Sequence, residues 1–189
     1  MVSKNSTTDL QQTLKELVRS TSVSRMKALS KRPDVEIQEI HENRDILAHW
    51  MTLIFIAGPS LRMTFKTQFS NVMAQCFAEG AFNLKKENID DYKSQDFIRE
   101  YCNLVGGYVK NSLVQQKLVL GISLPLVTRG YDNLFFGNLA GFDVYNDRWK
   151  LVIGGDICIY CSVSIEIMDE FKLSNENLEF EDSGEINFF

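Results

Sequence analysis

Glu100 and Asn103 are the residues whose chemistry and spacing stand out, a carboxylate and a carboxamide within the stretch SQDFIREYCNLVGGYVKNSL. Apolar residues at Phe97, Ile98, Tyr101, Leu104, Val105, Tyr108 and Val109 recur at helical spacing, which predicts a helix with one broad buried face. Asp96, Glu100, Asn103 and Gly107 fall on the opposite stripe, because steps of four, three and four residues stay on one side of a helix. A carboxylate pairs with a cation, whereas a neutral amide both donates and accepts and so can orient a water molecule. Gly107 extends the stripe with no side chain. A glycine in mid-helix costs about 1 kcal/mol relative to alanine, and close approach of another molecule is one reason to tolerate it. Gly106 would serve the inner face in the same way. Spacing alone does not separate this reading from a pair of solvated residues on an amphipathic helix.

The surroundings of the pair add specificity. Asp96, Glu100, Asn103, the pair Gly106-Gly107, Pro125 at the end of Ile122-Ser123-Leu124-Pro125, and Gly130 together resemble the signature of the CheC/CheX/FliY family of chemotaxis phosphatases. A looser similarity covers roughly residues 35–170. The resemblance implies an α+β fold, a CheX-like domain with a mostly antiparallel sheet flanked by two long helices, preceded here by an N-terminal helix. It also implies a partner and a reaction, the hydrolysis of the aspartyl phosphate of a CheY-like response regulator. In that family the asparagine enters the regulator's site to orient the attacking water, and the acidic residue pairs with the regulator's lysine. Carried over, these are Asn103 and Glu100 as the catalytic pair, with Asp96, Gly107 and Pro125 on the partner-binding surface. An acyl phosphate is already activated, so a water held in line matters more than a strong base. The Mg2+ belongs to the regulator, and no metal or cofactor of the chain's own is implied.

Two-site members of the family carry a second acid-and-asparagine helix. The helix expected from Thr67 lacks a Glu and an Asn at the matching spacing, so a single-site, CheX-like arrangement fits. Tyr101 and Cys102 stand where the family more often has smaller residues, and they are expected to narrow the approach to the partner. Two readings from other classes stay open: a noncatalytic adaptor for a regulator, receptor or flagellar component, and a structural homo-oligomer joined by an apolar strand near the end of the chain. From the CheX-like single motif and the apolar final strands, a homodimer through sheet edges is expected.

Composition sets the outer bounds. At 189 residues with 44% apolar and 24% charged residues, the chain suits one domain with a substantial core. A net charge of −5 argues against a nucleic-acid partner, which would favour a basic surplus. The longest apolar run, around residues 50–58, is too short to span a bilayer, and the first thirty residues lack a signal-peptide core, so a cytoplasmic protein is expected. Residues 1–33 carry seven Lys or Arg against two acids, and residues 173–189 carry five acids and no base. The chain therefore divides into an N-terminal helix and linker (1–33), the CheX-like domain (34–172) and an acidic tail expected to be mobile (173–189).

The cysteines, Cys76, Cys102, Cys158 and Cys161, fit a reducing compartment. Cys158-Ile-Tyr-Cys161 has the spacing of a zinc pair but lies in a β-rich run with no second pair, and residues three apart on a strand face opposite sides. His41 and His49 converge with nothing identifiable. Thr8 and Gln11 resemble a capping box for a first helix running into the twenties, and the cluster Arg25, Lys27, Lys31 and Arg32 reads as its solvated end. Strands are expected around Val35–Ile40, over 46–57, 61–65, 118–124, 149–153 and 157–167. Helices are expected from Thr67, stopping at Gly80, and from Ser94, which puts Asp96 in a first turn. Gly154-Gly155-Asp156 reads as a hairpin turn and not a phosphate loop, because no helix follows it.

Overall fold

The runs WMTLIFIA and LRMTFKTQF are rich in β-branched and aromatic residues and flank a Gly-Pro-Ser turn. They form the centre of the sheet, β2 (Trp50–Ala57) and β3 (Leu61–Phe69), paired antiparallel with Trp50 opposite Phe69 and Ala57 opposite Arg62. The computed structural model describes residues 4–40, 48–133, 144–169 and 171–173. Around the central hairpin the other elements are α1 (Lys4–Ser30), β1 (Glu36–Glu39), α2 (Asn71–Phe82), α3 (Asp91–Gln115), β4 (Gly121–Ile122), β5 (Leu126–Arg129), β6 (Val144–Ile153) and β7 (Ile157–Ile167). The sheet order is β1-β6-β7-β3-β2-β4, with β5 also on β2, and every pairing is antiparallel. The fold is thus the expected α+β arrangement, but its long helices are the N-terminal α1 and α3, while α2, expected as one of the long pair, has 12 residues.

The helices cover one face. Ile54, Ile56, Met63, Phe65, Trp149, Leu151, Val163 and Ile165 point from the sheet into a core shared with Leu14, Leu17, Met26, Phe77, Phe97, Ile98 and Val105. The N-terminal helix belongs to that core. Trp149, fully buried, donates from Nε1 to Ser22 Oγ at 3.1 Å, and Arg19 of α1 holds Asp147 through Nε at 2.5 Å and Nη2 at 2.8 Å. Two members of the basic cluster are used within the chain: Arg25 lies 4.4 Å over the Tyr108 ring, and Arg32 pairs with Asp34 at 2.9 Å and 3.1 Å. At the other end, Phe171 and Leu173 pack against the core; residues 174–189, the rest of the acidic stretch, lie outside the described residues, as does His41.

Several boundaries differ from the sequence expectation, each for a packing reason. Helix α1 already runs from Lys4, so Thr8 lies inside it and is not its N-cap. Strand β3 runs to Phe69, because Thr67 turns inward opposite Thr52 and Cys161, and Ser70 is the α2 cap, accepting from Met73 N at 3.4 Å. Gly80 does not end α2, which reaches Phe82 and closes on Asn83 in the left-handed region (φ 53°). Gly80 has another reason to be small, since a Cβ there would lie 2.1 Å from the Ser30 carbonyl oxygen at the end of α1. Of the strand expected over 118–124 only β4 forms, and a separate strand not expected from the sequence, β5, follows Pro125. Gly154 and Gly155 take φ of 59° and 90° in the β6–β7 turn, as the hairpin reading requires.

Cys158 and Cys161 both lie on β7, opposite Val152 and Trp149 respectively, and only Cys161 joins the helix-covered core. They do not form a ligand pair, and among the described residues no three His, Cys, Asp or Glu side chains gather as a metal site would require. No described helix is long and apolar enough to cross a membrane.

Candidate functional site

Helix α3 begins four residues earlier than its sequence suggests. Asp90 is the N-cap, its carboxylate accepting from Lys93 N at 2.8 Å, and Asp91 adds a second negative charge at the positive end of the helix dipole. Ser94 is therefore not the cap; it is buried and donates to Asp91 O at 2.9 Å. Asp96 consequently sits in the second turn, where its carboxylate accepts from Arg99 Nη2 at 2.5 Å on the solvent side. Its role as a helix-start residue falls away.

The motif stripe forms as expected. Asn103 is exposed and Glu100 partly so, and Asn103 Nδ2 stands 3.5 Å from Glu100 Oε2, the outer limit of a hydrogen bond. The amide is thus loosely tethered. A Cβ on Gly107 would meet nothing within 4 Å among the described residues, so none of them requires glycine there, whereas a Cβ on Gly106 would crowd Ile54 and Ile122 at 2.9–3.1 Å. One glycine lets the helix settle on the sheet edge, and the other leaves the stripe bare beside Asn103. Pro125 lies between β4 and β5 on the same edge, and Gly130 fixes where β5 ends: a Cβ there would overlap the Ala48 carbonyl oxygen at 1.7 Å. His49 contributes only its backbone nearby, its carbonyl accepting from Gly130 N at 3.1 Å.

Tyr101 and Cys102 do not narrow the approach to this stripe. Both are fully buried, one helical step behind the pair, and they point toward the sheet. Cys102 Sγ lies 3.2 Å from Thr67 Oγ1, and the Tyr101 hydroxyl lies 3.6 Å from Cys161 Sγ, so polar contacts hold the motif turn of α3 to β3 and β7. Burial in this apolar layer pushes the Cys102 thiol well above its ordinary value and the Cys161 thiol up to about 12. A brief pulse of iodoacetamide at neutral pH should accordingly spare Cys102 and Cys161 while the chain is folded, and label both after denaturation. Peptide mass spectrometry reads this directly; native labelling of Cys102 at the rate of a free thiol would contradict the inward packing.

With the geometry in hand, comparison with solved structures is informative. No protein-family model matches the sequence, and no curated protein matches it. Three solved structures share the fold over most of their length. A CheC-like protein from Shewanella sp. PV-4 superposes with a TM-score of 0.64 at 16% identity, over 81% of this chain and 97% of that one. The CheX of Borrelia burgdorferi, crystallised as a complex with CheY, BeF3 and Mg2+, gives 0.62 at 14% identity, over 79% and 96%. Vibrio vulnificus CheX gives 0.60 at 13% identity, over 79% and 97%. The chain has the fold of the CheC-like and CheX chemotaxis proteins.

Proposed function

We propose that this protein is an aspartyl-phosphate phosphatase acting on a CheY-like response regulator, in chemotaxis or a related two-component circuit of the cytoplasm. The observation that carries this reading is the pairing of Glu100 and Asn103 on an exposed stripe of α3 that Gly107 leaves open, within a CheX-like fold. Asn103 would orient the attacking water in line with phosphorus, and Glu100 would pair with a cation of the regulator, whose own site supplies the Mg2+. Asp96, held by Arg99, and Pro125 on the neighbouring edge would border the contact. The test is to add the protein to a regulator phosphorylated by a small phosphodonor and follow phosphate loss. Faster loss supports a phosphatase; tight binding with unchanged loss makes the protein an adaptor.

A dimer through a sheet edge belongs to the same reading, but not through β7, the longer of the apolar strands near the end of the chain. β7 is interior, and the edges among the described residues are β1 and the β4/β5 pair. Among the described residues β1 pairs with β6 from Trp149 to Val152, and a second copy would add along an edge such as β1. Sedimentation at tens of micromolar, roughly where a stable interface should be populated, should show a dimer; a monomer there would contradict it.

A further inference from the structure

The strand edge that carries Pro125 holds one residue too many. Ile122 pairs with Ile56 and Leu126 with Leu53, so Ile54 and Phe55 of β2 face three residues, Ser123, Leu124 and Pro125. This is a bulge, a device that re-aims side chains at sheet edges. It is firmly held: Ser123 N donates to Phe55 O at 2.9 Å, Phe55 N donates to Ser123 Oγ at 3.0 Å, and Ser123 Oγ donates to Leu124 O at 3.0 Å. Pro125 brings no N–H that would need a partner. The extra residue reverses the alternation, so that Ile122 packs inward under Gly106 while Leu126 falls opposite Leu53 on the other face. At the crest, Leu124 is 87% exposed, the highest value for a large apolar side chain among the described residues.

The bulge stands at the height of the motif. Cys102 touches Thr67, whose cross-strand partner is Thr52, and Gly106 lies over Ile54 and Ile122. Thr52 in turn pairs with Val127, so the stripe runs along this edge with Asn103 near the level of residues 126–127 and Gly107 near that of 122–124. A lone exposed leucine is ordinary on a protein surface. The backbone that carries this one is held by the Ser123 bonds, the partly exposed Ile122 and Leu126 flank the bulge along the chain, and partly exposed Phe55 lies across from it on β2. A second copy adding as a strand here would meet an interrupted ladder with a proline in it, so the patch suits a partner that docks by side chains.

Resting on the phosphatase reading, we propose that Leu124 is the apolar anchor for the CheY-type receiver domain, seating on apolar surface beside the receiver's phosphorylation site so that Glu100 and Asn103 enter in one register. Polar pairs at an interface set orientation, while a buried apolar contact beside them supplies much of the affinity. The test uses the full chain carrying Leu124→Asp or Leu124→Ala, titrated with phosphorylated CheY-type receiver. KM should rise by about tenfold or more for L124D and less for L124A, with little change in kcat, as expected when binding common to ground and transition states is removed. Melting temperatures should match the parent, because the side chain meets solvent. An unchanged KM for L124D, or a loss confined to kcat, overturns the anchor while leaving the role of Asn103 intact. If the parent protein shows no turnover, direct binding to a receiver activated with beryllium fluoride and Mg2+ decides the matter. Binding lost in L124D upholds the anchor without the phosphatase; no binding by the parent overturns both.

Discussion

Asn103→Ala should lower dephosphorylation at saturating regulator by on the order of 10²-fold or more, the scale expected when a positioning group is lost from a reacting centre. Regulator affinity should change little, since the amide's assigned task is to hold a water and not the partner. Folding should be unaffected, because Asn103 is exposed and its contact with Glu100 is long at 3.5 Å. Glu100→Gln should fail in the opposite sense, weakening capture by removing one half of an interfacial ion pair while sparing more of the turnover rate. Titrating phosphorylated regulator against each variant separates the two effects. Full turnover in Asn103→Ala would transfer the stripe's role to binding alone.

Trp149→Ala should produce the largest loss of stability. Its indole is fully buried, lies 6.2 Å from the Phe65 ring and bonds Ser22 across the interface with α1. Removing a buried tryptophan costs about 3–5 kcal/mol, and at about 2–4 °C per kcal/mol for a chain of this size the melting temperature should fall by about 6–20 °C. Trp149→Phe keeps most of the packing and gives up the bond to Ser22, a loss of about 1 kcal/mol. A fall of under about 3 °C for Trp149→Ala would mean that α1 is held to the sheet by something other than this side chain.

The motif was legible because a helix converts spacing into a face. Asp96, Glu100, Asn103 and Gly107 could be placed on one stripe from their numbers alone, and the α+β class was implied by the family resemblance that these residues carry. Local caps were less legible. Thr67 and Ser94 have the chemistry of N-caps, but each is drawn into the core, and the true caps, Ser70 and Asp90, lie close by in segments that read as strand end and linker. Gly80 looked like a helix stop, and its small size instead answers to a carbonyl on another helix. Such contacts join residues far apart in the chain, so neither periodicity nor propensity reports them. The bulge at residues 123–125 is of the same kind. Pro125 hinted at an interruption, but only the pairing of Ile122 and Leu126 with β2 shows the extra residue that puts Leu124 in solvent.

The most direct measurement is the decay of a phosphorylated CheY-type regulator with this protein present at a small fraction of the regulator's concentration. Catalysis requires that every regulator molecule lose its phosphate faster than it does alone, through many turnovers per protein molecule, and that Asn103→Ala abolish the acceleration while still binding. Decay at the regulator's own rate, despite demonstrated binding, would contradict a phosphatase and leave an adaptor built on the same fold.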